Sequence, residues 1–195
     1  MLNIFVAKAQ GLLREELAPG SASLPPGALW LDLIEPTPEE ERLVEAALRV
    51  DVPTREEMRE IEASARLYEE NGALYMTATV VTKLETELPE SSQVTFILDK
   101  DKLITNRYID PLPFRSFIAY AEKHPQVCAS STALMAGLLE SIINRIADVL
   151  ERIGADLDVV SASVFASPRG RRSVSGDLRQ IMARIGSSGD VTSKA

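Results

Sequence analysis

The chain has 195 residues, 45% of them hydrophobic, with a single cysteine and a formal net charge of −8. This composition excludes a disordered chain and an internal disulfide. The acidic balance disfavours nucleic acid and favours cations as partners. No apolar run approaches the roughly 20 residues that cross a bilayer, and Met1 to Lys8 lacks the pattern of a secretion signal.

In chain order, Leu2 to Val6 is a short apolar strand, Gly20 to Gly27 a Ser/Pro/Gly loop, and Ala28 to Ile34 a buried strand. Thr37-Pro38-Glu39-Glu40 starts a helix: Thr37 caps, proline suits the first turn, and Glu40 completes a capping box. Leu43, Ala46, Ala47 and Val50 form its expected apolar stripe. Pro53 interrupts, and Thr54 to Glu57 starts a second short helix by the same device. From Arg66 the period becomes two. Leu74, Met76, Ala78 and Val80 alternate with Tyr75, Thr77, Thr79 and Val81, and the Asn71-Gly72 turn makes Arg66 to Glu70 the hairpin partner. Val94 to Leu98 and Leu103 to Tyr108 form a second hairpin, and Phe114 to Lys123 a short helix.

The final third is helical. Leu134, Leu138, Ile142, Ile146, Val149, Ile153, Leu157, Val160 and Val164 form the seam of one long helix, from Ser131 to about Phe165. At 1.5 Å per residue it spans roughly 50 Å. Pro168 and Gly170 end it, and Asp177 to Ile185 returns as a second helix against its seam. The expected architecture is therefore α/β: a mixed sheet flanked by helices over residues 1–125, an α/β/α sandwich. A long projecting helical hairpin follows over 126–195. Leu74, Met76, Ala78, Val80, Val94, Phe96 and Leu98 are its expected core. The chain ends after Asp190 without a helix-terminating signal, which reads as a truncation.

Catalytic chemistry has little to stand on. His124 sits before Pro125 at a helix end, and Cys128 is a small thiol suited to burial. One His and one Cys make no zinc site of the usual kind. There is no Gly-rich phosphate loop and no nucleophile elbow, so nothing recommends an enzyme. Asn106-Arg107-Tyr108 and Pro113-Phe114-Arg115 suit anion binding or, as the commoner case, the end of a strand and the packing of a helix; Arg169, Arg171 and Arg172 suit anionic lipid, a neighbouring acidic helix or, more commonly, a solvated turn. The carboxylates of Glu39 to Glu41, Glu56, Glu57, Glu60 and Glu62 suit hard cations such as Mg²⁺ and Ca²⁺. As single residues they are also ordinary helix faces and caps.

Four segments, WLDLIEPTPEE (Trp30 to Glu40), EIEASARLYEENGALY (Glu60 to Tyr75), LITNRYIDPLPFR (Leu103 to Arg115) and IADVLERIGADLDVV (Ile146 to Val160), resemble the CorA family of divalent-cation transporters, in the family's order. The resemblance implies a homopentamer with an amino-terminal α/β/α domain on the cytoplasmic face of the inner membrane, outer helices, a stalk helix and two membrane helices. A Gly-Met-Asn motif at the pore mouth belongs to that family pattern; this chain contains neither the motif nor the membrane helices. The implied function is a regulatory and assembly domain of a Mg²⁺ transporter, with Co²⁺ or Ni²⁺ as accompanying substrates, that senses divalent cation between subunits. By the same resemblance Glu56, Glu57 and Glu140 hold the regulatory Mg²⁺. The family often has aspartate where Glu57 stands, and the tip from Phe165 to Arg172 is neutral to basic where well-known members are acidic. A zinc-transporting relative of the same fold and a stand-alone oligomerisation module are the rival readings.

Overall fold

The computed structural model describes residues 1–17, 23–83, 90–165, 186 and 189. The expected returning helix of residues 177–185 and the arginines of 169–172 lie outside the described residues.

Strands β1 (Leu2–Lys8) and β2 (Gly11–Glu15) open the sheet as a hairpin. The sequence pattern had offered no strand at β2. Gly11 makes it possible: its φ is +138°, and a β-carbon there would run into the carbonyls of Ala121 and Glu122. β3 (Ala28–Ile34) follows, then helix α1 (Pro38–Leu48), whose Thr37–Glu40 capping box forms as expected. Its buried residue is Val44, whereas Ala46 and Ala47 are exposed, so the stripe through those alanines is not the packing face. The carboxylate of Glu40 turns this helix. It accepts from the Leu2 N–H at 2.7 Å and pairs with the Met1 ammonium at 2.9 Å, which brings Val44, one turn on, to the sheet.

Helix α2 (Arg55–Glu60) starts at the second capping box, Thr54–Glu57, and a short 3₁₀ turn at Ala63–Ala65 leads into β4 (Leu67–Glu70). β5 (Ala73–Thr82), β6 (Glu90–Asp99) and β7 (Lys102–Arg107) complete a seven-stranded sheet in the order β2-β1-β3-β7-β6-β5-β4. The Asn71-Gly72 turn has both residues at positive φ, as a two-residue hairpin of this hand requires. β3 and β7 pair in parallel; the other described pairs are antiparallel.

Two cores lie on opposite faces. One joins Ile4, Leu31, Leu33, Val44, Tyr75, Ile97 and Ile104 beneath α1. The other joins Phe5, Trp30, Phe96, Leu103 and Val80 to helices α3 (Leu112–Ala121) and α4 (Ser131–Phe165). This is a mixed sheet between helical layers, as expected. One core residue is corrected: Leu74 is 41% exposed, while its neighbour Tyr75 is 2% exposed. β5 is the second strand from the sheet edge, and at Leu74 the α3–α4 layer has run out. On the other face Tyr75 stacks on Tyr68, ring centroids 4.7 Å apart, and its hydroxyl oxygen accepts from the Asp51 N–H at 3.0 Å.

The long helix starts where expected. Ser130 Oγ accepts from the Ala133 N–H at 3.1 Å. Leu134, Leu138, Ile142 and Val149 are buried, and Ile146 and Ile153 half-buried. Leu157 is 40% exposed among the described residues, so the seam is covered by the sheet domain only along its first part.

Candidate functional site

Glu57 is an exposed side chain held by its own helix start. Its Oε2 accepts the Thr54 N–H at 2.8 Å and the Thr54 hydroxyl at 2.9 Å, and Glu57 N–H donates back to Thr54 Oγ1. Those bonds, the backbone one first, hold the carboxyl below its ordinary range. It is therefore ionised at neutral pH and fixed in direction, with oxygens of the kind a hydrated Mg²⁺ takes. Glu56 beside it is exposed, and its charge adds to the rise of the Tyr108 phenol pKa, which burial and then the charge of Glu41 push up first.

Glu140 lies elsewhere. It is exposed on α4, at the rim of a groove of about 530 Å³ between α3 and α4. Leu112, Phe117 and Val127 line the groove's apolar side, and Asp148 shares its polar rim. The two helices meet closely at Gly137, where a β-carbon would come within 2.7 Å of the Phe117 ring. The Ser141 hydroxyl donates to the Pro113 carbonyl at 3.2 Å, which ties the turn after Glu140 to the start of α3. α2 belongs to the α1 face of the sheet and α4 to the opposite face. One chain therefore does not bring Glu56 and Glu57 together with Glu140, and no group of three or more His, Cys, Asp or Glu side chains among the described residues is placed to hold a metal ion.

His124 and Cys128 take the places expected of them. His124 Nδ1 lies 2.7 Å from the Tyr120 carbonyl at the end of α3, its ring stacked on Tyr120. Cys128 is buried, and burial pushes its thiol up, which makes it a poor nucleophile.

The polar constellation that sequence reasoning missed is inside the sheet. Asp32 and Arg107 are 0% and 1% exposed. The guanidinium grips Asp32 with two parallel bonds of 2.9 Å, from Nε and Nη2. Its Nη1 donates to the Ile109 carbonyl at 2.7 Å and to Asp110 at 2.9 Å, and its plane sits 4.4 Å from the Phe114 ring centroid. Thr105 donates to Asp32 at 2.7 Å, and Trp30 Nε1 donates to Thr105 at 3.0 Å. Burial alone would lower the Arg107 pKa; the bonds to Asp32 and Asp110 overcome it, so the guanidinium keeps its charge. The pair lies at the carboxyl ends of β3 and β7. From there the chain leaves to α1 on one face and to α3 on the other, the crossing point where open α/β sheets leave a crevice. Here Arg107 fills that crevice. A lone acid in the apolar strand LDLI and a lone arginine ending LITNR were the available signals.

Comparison with known proteins agrees with this fold. The magnesium transport protein CorA of Wolinella succinogenes is 30% identical over 181 residues, covering 87% of this chain and 54% of its own length. That of Escherichia coli strain K12 is 28% identical over 170 residues, covering 87% and 53%. The chain thus spans about half the length of the curated relatives it matches. Among solved structures, the soluble domain of CorA from Methanocaldococcus jannaschii superposes with a TM-score of 0.63 at 11% identity, over 98% of this chain and 76% of that one. The ZntB cytoplasmic domain from Vibrio parahaemolyticus gives 0.60 at 14% identity, over 95% and 72%; at these identities the likeness is one of fold. No helix among the described residues is long and apolar enough to cross a membrane. The family model for the CorA-like Mg2+ transporter protein matches residues 26–188, and the chain belongs to that family.

Proposed function

We propose that this chain is the cytoplasmic regulatory and assembly domain of a divalent-cation transporter, with Mg²⁺ as both the carried ion and the regulatory ligand. It acts in a homopentamer on the inner face of the membrane. The observation that carries the reading is the family match over residues 26–188, joined to magnesium transport relatives. Glu56 and Glu57 on α2 and Glu140 on α4 are the proposed ligands. Their placement on opposite faces of the sheet supports a site completed between subunits. A cation shared by two subunits stabilises their contact, so loss of intracellular Mg²⁺ would release it. Mg²⁺ keeps much of its hydration shell, so one or two such carboxylates per subunit suffice for weak binding. Zinc as the carried ion has only the fold likeness to the ZntB domain behind it.

The test is thermal unfolding with Mg²⁺ against NaCl at equal ionic strength, in the parent, Glu57→Gln and Glu140→Gln. A ligand at about ten times its Kd stabilises the folded form by about 1.4 kcal/mol. With a Kd no better than about 1 mM, we expect about 10 mM Mg²⁺ to add at most about that much to the parent and less to each variant. Equal gains in NaCl and in the variants would reduce the effect to screening of an acidic chain and remove these residues from the site.

A further inference from the structure

We propose that Asn106-Arg107-Tyr108, at the end of β7, is a clasp that couples α2 on one face of the sheet to α3 and α4 on the other. Consecutive residues of a strand point to opposite faces, and here each of the first two fixes the start of a different helix. Asn106 Nδ2 donates to the Pro53 carbonyl at 2.7 Å and lies 3.6 Å from the Met58 sulfur. Pro53 is the residue before the Thr54 cap, so this bond sets where α2 begins. Arg107 reaches the other way. It holds Ile109, Asp110 and the Phe114 ring, which fixes the turn into α3. Its backbone carbonyl accepts the Glu35 N–H at 2.9 Å, which ties in the turn that leads to α1. Tyr108 adds a third hold: the Arg55 guanidinium, in the first turn of α2, lies 5.4 Å from its ring centroid.

The connection continues outward. Pro113 in the first turn of α3 receives the hydroxyl of Ser141, the residue after Glu140. The hydrogen bonds made by the Asn106, Arg107 and Ser141 side chains are buried or half-buried, and the middle link is locked. Arg107 is 1% exposed, so its guanidinium has no solvent to turn into when Asp32 holds its fork. A shift of the α2 start therefore displaces the end of β7, and with it the loop that starts α3. The use of this clasp in ion sensing rests on the function proposed above; the mechanical coupling does not need the cation.

Amide hydrogen exchange on the 195-residue chain tests it without metal. Thr54→Ala removes the α2 cap at an exposed position. We expect the α2 amides to exchange about fivefold faster, the opening that a lost cap allows. The amides of Phe114 to Ile118 in α3 should accelerate with them. With Asn106→Ala also in place, Thr54→Ala should accelerate α2 alone. The reverse perturbation, Asp110→Ala, should accelerate the Met58 amide across the sheet. A missing distal response to either Thr54→Ala or Asp110→Ala overturns the clasp, and those two variants decide even if Asn106→Ala does not fold. An Mg²⁺ stabilisation left unchanged by Glu57→Gln and Glu140→Gln, with the distal response intact, would overturn the assigned ion site and leave the clasp standing.

Discussion

Asp32 and Arg107 bring two full charges into the centre of the sheet, and the arrangement is stable only because each satisfies the other. Removing one member of such a pair leaves an uncompensated buried charge and costs about 3–5 kcal/mol. Arg107→Ala should lower the unfolding free energy by that amount in a urea titration. The double change Asp32→Leu with Arg107→Met should cost less than the two single changes added together. A second residue prediction concerns Glu41. Burial, then the charge of Glu45, hold its carboxyl above the usual range, against the hydrogen bond from Tyr108. A carboxyl with a raised folded pKa binds its proton more readily in the folded state. Its ionisation therefore destabilises the fold at neutral pH, and stability is recovered as pH falls through the folded pKa. Glu41→Gln should raise the melting temperature at neutral pH and lose that advantage near pH 4. The capping carboxylates were legible because their partners lie within four positions. Asp32 and Arg107 were not, because 75 residues separate them and only the parallel β3–β7 register joins them.

At the scale of elements, what was legible follows the range of the interaction that decides it. Both capping boxes, the Asn71-Gly72 turn and the start of α4 rest on local chemistry and came out as read. The packing faces of α1 and β5 rest on neighbours distant in sequence, and there the reading slipped: Val44 rather than the alanines, and Tyr75 rather than Leu74. β2 was invisible because its hairpin depends on Gly11 fitting under the end of α3, a contact with Ala121 and Glu122. The seam of α4 changes character along its length, and substitution measures the change. Val149 is 1% exposed and packs with Val81. Val149→Asp should cost about 3 kcal/mol by placing a charge without a partner there. Leu157 is 40% exposed, so Leu157→Asp should cost less than about 1 kcal/mol in a urea titration.

For the molecule as a whole, α4 is both a projecting arm and a wall of the core. Leu134, Leu138 and Ile142 belong to the same cluster as Trp30, Phe96, Phe114 and Phe117. The connection at residue 125 is therefore a boundary in the path of the chain, while the packing runs across it. This has a consequence for unfolding. A buried leucine or isoleucine truncated to alanine costs about 2–5 kcal/mol. Loss of all three side chains at once is comparable with the whole stability of an ordinary domain, about 5–15 kcal/mol. It would also expose the faces of Trp30 and Phe117 that they cover. A chain cut after Ala129 should lose its cooperative thermal transition and bind a hydrophobic dye, although it keeps every strand of the sheet. A chain cut after Val149 retains those contacts and should keep a single cooperative transition, with calorimetric and van't Hoff enthalpies in agreement. If the shorter chain unfolds as sharply as the longer one, the sheet stands without α4. The helix would then be a tether on a finished domain, and a change at α3 would have no rigid path to Glu140.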